Sequence, residues 1–153
     1  MKITIKEPPT GAEEEIIVLC HNVSPELMNV LNSISTPGGM LIAYIDSEVH
    51  WINPSDVFYI EAVDRKVFLY CEKEVYESKQ KLYELEELDI DGFVRISKST
   101  IANIHKIKAF IPSLSGNAEA VLTNKERIVI SRRYMSSLKE RLRLKIGGQS
   151  HGY

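Results

Sequence analysis

The chain has 153 residues, 44% of them hydrophobic, which suffices for one core of ordinary size plus a small appendage and excludes a disordered chain. The net charge of −2 conceals a split: residues 1–90 hold 7 Lys and Arg against 17 Asp and Glu, residues 91–153 hold 12 against 4. Net charge alone argues against a nucleic-acid partner; its distribution argues for one on the C-terminal side.

Lys2–Lys6 alternates polar and apolar residues, as an edge strand does, and the opening MKITIKEPPT is too polar for a secretory signal. No apolar run approaches the roughly 20 residues that span a bilayer, so a cytoplasmic location is expected. A loop with Pro8, Pro9 and Gly11 leads to Ile16–Cys20, an apolar run read as a strand. Ser24-Pro25 then reads as a cap and first turn, with Leu27, Leu31 and Ile34 on one narrow helix face and Pro37-Gly38-Gly39 ending it. This strand–helix unit, residues 1–40, is too small to fold alone and is expected to pack on the rest or on a second copy. From Met40 the period changes to short β runs: Met40–Ile45, Val49–Ile52, Val57–Glu61, Lys66–Cys71 and Glu74–Glu77, with Asn53-Pro54-Ser55 and Ala62–Arg65 as turns. Cys20 and Cys71 sit in apolar runs without CxxC spacing and read as reduced thiols.

Ser78 is a candidate cap for a helix carrying Leu82, Leu85 and Leu88, with Glu84, Glu86 and Glu87 on its solvated face and Gly92 beyond its end. Further strands fit Phe93–Ile96, Ile107–Pro112, Glu119–Leu122 and Arg127–Ile130, with turns at Ser115-Gly116-Asn117 and Thr123-Asn124-Lys125. Ser131 reads as the cap of a last helix with Met135, Leu138, Leu142 and Ile146 on one side, and residues 147–153 as a loose tail. Many short strands with few helices make a mostly β domain over residues 41–146 rather than a helix-turn-helix.

Two segments carry chemistry. FVRISKSTIANIHKI, Phe93–Ile107, sets Arg95, Ser97, Lys98, Ser99 and Asn103 among apolar residues without a carboxylate. Such cations bind phosphate oxygens, and hydroxyls and amides bond phosphates or base edges. An edge strand guarded by Lys98, with Ser and Thr serving a turn, would read the same way. In IVISRRYMSSLKERL, Arg132 and Arg133 stand at the start of the last helix, against the positive end of its dipole, a mismatch of about 0.3–1 kcal/mol each that an anion would relieve. Lys108 adds a phosphate candidate, and Arg65 and Lys66 lie in a hairpin turn. His21, His50, His105 and His151 are scattered without metal-ligand spacing, and the chain has no glycine-rich phosphate loop and no nucleophile triad, so neither an enzyme nor a cofactor is expected.

From about Trp51 to Leu142 these segments resemble the LytTR family of bacterial DNA-binding domains, which shows an arginine, a polar pair around serine, an asparagine and later a Ser-Arg-Arg-Tyr-like helix start. The resemblance implies an elongated β sandwich that inserts loops and a helix start into successive major grooves of double-stranded DNA. The site residues are then Arg65, Lys66, Arg95, Ser97, Lys98, Ser99, Asn103, Lys108, Arg132 and Arg133, with Arg133 matching the DNA-contacting arginine and Asn103 open to a structural role. It also implies transcription regulation, dimeric occupancy of direct repeats and, for small stand-alone relatives, an inhibitory membrane-protein partner. Residues 1–40 are too few for a receiver domain, so control by aspartate phosphorylation is not expected. Some relatives carry a histidine where this chain has Ser97-Lys98 and Arg65-Lys66, which changes the expected base preference. Two rival readings are a protein-interaction module built on the acidic half and a single-stranded RNA binder, the latter weakened because Tyr and Phe fall mostly inside apolar runs.

Overall fold

Strand-forming runs separated by polar turns build two antiparallel sheets in the computed structural model, which describes residues 4–27, 30 and 39–149. Among them are ten strands: β1 Leu41–Ile45, β2 Glu48–Ile52, β3 Val57–Val63, β4 Lys66–Cys71, β5 Val75–Ser78, β6 Phe93–Arg95, β7 Thr100–Asn103, β8 Ile107–Pro112, β9 Ala118–Leu122 and β10 Arg127–Ile130. Helix α1 spans Leu82–Glu87 and helix α2 spans Met135–Gln149. The larger sheet runs β2-β1-β5-β4-β3-β7-β6 and the smaller β10-β9-β8.

The central strands bury both faces, so side-chain alternation sorts residues between two cores. Val57, Ile60, Leu69, Phe93 and Ile101 join Leu82 and Leu85 of α1 in one. Phe58, Val94, Ile96 and Ala102 face Ala118, Ala120, Leu122, Ile128 and Ile130 of the small sheet and Leu138 of α2 in the other. Ile96, Leu122, Ile130 and Leu138 are essentially inaccessible; full burial of a side chain of this size contributes roughly 1.5–3 kcal/mol. The small sheet and α2 are thereby locked over the β3-β7-β6 end of the large one.

Several sequence expectations change. Ile16–Cys20 forms no strand and its Ile16, Ile17 and Leu19 are exposed, because a strand needs a ladder partner and none of the described residues supplies one. Residues 4–6 of the expected edge strand are likewise irregular. Ser24 does cap the turn that starts at Pro25, its Oγ accepting from the Leu27 amide at 3.1 Å; Leu31, Ile34 and Pro37-Gly38 lie outside the described residues, as do residues 150–153 of the expected tail. Gly147 to Gln149 continue α2. Ser78 ends β5, and α1 starts only after Lys81, whose amide donates to Glu84 Oε1 at 3.3 Å. Leu88 is half-exposed just past the end of α1, since two steps of three residues turn it about 120° away from Leu82. The largest difference is β7: Thr100–Asn103, assigned to no element from the sequence, is a fully buried strand.

Candidate nucleic-acid interface

Three polar segments meet at one end of the sheets. Strands β3 and β7 pair Glu61 with Thr100, so the β3–β4 turn at Asp64-Arg65 and the β6–β7 loop Ser97–Ser99 emerge side by side, joined by the Ala62 amide donating to the Ser99 carbonyl at 2.8 Å. The same loop is tied to the start of α2, because the Ser131 amide donates to the Ile96 carbonyl at 2.8 Å. Arg132 in turn is anchored through its own amide, which donates to Asn117 Oδ1 at 2.8 Å. Its side chain lies along Gly116, where a Cβ would stand 2.6 Å from Arg132 Cδ and where φ is +89; glycine meets both demands.

Within this end the polar residues divide into inward and outward sets. Arg95 faces inward: its Nε donates to the Ser97 carbonyl at 2.7 Å, one terminal nitrogen to Glu86 Oε2 at 2.9 Å, and the other to the Lys98 carbonyl. A guanidinium with each of its three nitrogens engaged clamps the loop and has fewer donors left for the phosphate contact expected of Arg95. Asn103, paired with Phe93 at the end of β7 remote from the loop, is 1% exposed. Its Nδ2 donates to the Val57 carbonyl at 2.9 Å and its Oδ1 accepts from the His105 amide at 3.0 Å, capping the turn Ile104–Lys106. A buried amide satisfied in this way cannot reach a ligand, and Asn103 is removed from the expected binding residues. Ser97 Oγ accepts from the Ser99 amide at 3.2 Å, a local turn that holds the loop tip.

The outward set is cationic. Lys98 and Arg133 are exposed, and among the described residues neither side chain has a hydrogen-bond or ion-pair partner; the same holds for the side chains of Arg65 and Lys66. By contrast Arg127 pairs with Glu119 at 3.2 Å and Arg141 with Asp89 at 2.9 Å. Arg132 to Tyr134 form a 3-10 turn ahead of α2 rather than its first α turn, and Ser131 caps that turn without a side-chain bond. No acidic residue stands in the first turn of either helical segment, so two cations face the positive end of a helix uncompensated. An open recess beside them is lined by Ser115, Asn117, Ser131, Arg132 and Arg133. Ser115 and Asn117 were not singled out in the sequence, where Ser115-Gly116-Asn117 signalled only a turn.

Lys108 falls elsewhere. Ile107 pairs with Leu122 and Pro112 with Ala118, so Lys108 stands at the end of β8 remote from Asn117 and Arg132, roughly 13 Å along the strand. It shares that end with Lys106, whose ammonium lies 5.0 Å from the Phe58 ring centre, and with the Thr123–Lys125 turn. Between the loop and β10 a second recess includes Tyr59 and Glu61. The Tyr59 phenol is held well above its ordinary pKa by burial first and then by the Glu126 carboxylate, so it remains a neutral hydroxyl.

The family profile described as the LytTr DNA-binding domain matches residues 47–143. An uncharacterised HTH-type transcriptional regulator of Staphylococcus aureus strain NCTC 8325 is 30% identical over 144 residues, covering 93% of this chain and 98% of that protein. The corresponding regulator of strain MRSA252 is 29% identical over the same length. Among solved structures, a LytTr DNA-binding domain from Bacillus cereus superposes with a TM-score of 0.64 at 29% identity, over 67% of this chain and 95% of that domain. The match is to a β domain: among the described residues, α1 and α2 are separated by five strands and form no helix-turn-helix.

Proposed function

The chain belongs to the LytTR family of DNA-binding domains, and from that premise we propose that it is a transcriptional regulator reading the major grooves of specific double-stranded sites. The loop Ser97–Ser99 and the Arg132-Arg133 turn enter the grooves, Lys98 and Arg133 reach base edges, and Arg65 and Lys66 act from the neighbouring hairpin turn. One observation carries this reading: at this end of the sheets four cations, whose side chains have no hydrogen-bond or ion-pair partner among the described residues, flank a loop that Arg95 holds from beneath. A preformed loop loses little conformational freedom on binding, so more of the contact energy appears as affinity. Two copies occupy direct repeats, which places the second set of loops on the next accessible groove.

The test is a binding titration on genomic duplex fragments, random duplex and random single strand. Preference for a subset of duplex fragments is expected, and equal binding to all three would reject sequence-specific reading. If about five phosphates are neutralised, log K should fall against log salt with a slope of about −4 to −5. A slope near zero with affinity intact removes the electrostatic part of the reading.

A further inference from the structure

The N-terminal apolar run and one strand edge of the small sheet are left open in the same molecule. Ile16, Ile17 and Leu19 are 58%, 67% and 92% exposed. Residues 13–20 have no regular structure and no hydrogen bond among the described residues. Strand β8 pairs only with β9 among those residues, so its other edge presents unpaired backbone. Next to that edge Phe110 and Ile111 are each 39% exposed and Leu114 is fully exposed. Exposed edges of this kind accept added strands, and the single edge lysine, Lys108, leaves the apolar half of β8 unguarded.

We infer that Glu13–Leu19 of one chain adds as a parallel strand to the β8 edge of a second copy, making a reciprocal dimer. The order of residues selects the occupant and its direction. The segment reads Glu13-Glu14-Glu15 and then Ile16-Ile17-Val18-Leu19; β8 and its approach read Lys106-Ile107-Lys108 and then Ala109-Phe110-Ile111. Parallel alignment of Glu15 with Lys108 sets Glu13 and Glu15 beside Lys106 and Lys108, and Ile16, Ile17 and Val18 beside Ala109, Phe110 and Ile111; only Glu14, opposite Ile107, lacks a complementary neighbour. Antiparallel alignment would lay carboxylates along Phe110 and Ile111, leaving them desolvated and unpaired. Each chain offers one open segment and one open edge, so two identical contacts close around a two-fold axis. The Arg132-Arg133 end stays free, since β8 meets it only beyond Pro112.

The experiment is sedimentation velocity of the full chain without DNA over a concentration series. The native chain is expected to dimerise. Glu15→Lys and Lys108→Glu should each lower the association constant about tenfold, because each turns two cross-strand attractions per dimer into repulsions. An equimolar mixture of the two variants should dimerise like the native chain, since one of its two contacts is native and the other has both charges exchanged. Ile17→Lys, in a segment without secondary structure, should weaken dimerisation at least as much. A native chain that stays monomeric, or a mixture no better than its separate components, overturns the proposal. The outcome does not depend on the DNA-binding reading.

Discussion

Arg95 with Asn103 on the β6–β7 hairpin, and Lys98 with Arg133 at its loop end, are polar groups put to opposite uses. The first pair is spent inward, on Ser97, Lys98, Glu86, Val57 and His105; the side chains of the second have no partner among the described residues and stand in solvent. The difference teaches that a cationic motif is a scaffold and a surface together. A residue's type says that it bonds anions or carbonyls, and only its surroundings say which.

That contrast can be broken in order of expected effect. Asn103→Ala removes both partners of a buried amide and leaves the Val57 carbonyl and His105 amide unsatisfied, so the fold should lose roughly 2–3 kcal/mol. Thermal melting checks this, and an unchanged melting temperature would return Asn103 to the binding surface. Arg133→Ala and Lys98→Ala should leave melting unaltered and each reduce discrimination between specific and random duplex by roughly 1–3 kcal/mol. Competition titrations measure it; if both affinity and preference are untouched, the outward set is misassigned.

Arg95→Ala should do something of each kind. Losing the clamp costs stability by about 1–2 kcal/mol, discounted from a fully buried case because the pair with Glu86 is part-exposed. It should also weaken duplex binding through a looser loop, and Glu86→Ala should reproduce a share of both losses although Glu86 bears the wrong charge to touch DNA. Binding lost in Arg95→Ala but fully kept in Glu86→Ala would favour direct contact by Arg95. The smallest effect is expected at Arg65, which holds φ +67 in a two-residue turn with Asp64 at +50. Arg65→Gly relieves that backbone and should stabilise the fold by up to about 0.5 kcal/mol while weakening duplex affinity.

Much of the fold was legible because its signals are local. Apolar runs bounded by Asn-Pro-Ser, Asp-Arg and Ser-Gly-Asn gave most strands to within a residue or two, and Lys66–Cys71, Ile107–Pro112 and Arg127–Ile130 at both ends. Two errors have a shared cause. Ile16–Cys20 has the composition of a strand and no ladder partner among the described residues, whereas Thr100–Asn103, only half apolar and short, lies between β3 and β6. Strand formation is decided by ladder neighbours, and composition registers them weakly.

For the binding end, the sequence by itself determined the inventory: the basic C-terminal half, the Arg-Ser-Lys-Ser and Ser-Arg-Arg segments, and the family they mark. Tertiary structure decided direction. Asn103 is turned inward by a carbonyl 46 positions earlier, at Val57, and Arg95 by a carboxylate on α1, at Glu86. Lys108, equally cationic in the sequence, is carried to the far end of β8 by the register of that strand against β9. Hydrogen bonds and ion pairs act over a few ångströms of space, and residues distant along the chain become neighbours only when strands pair and sheets pack.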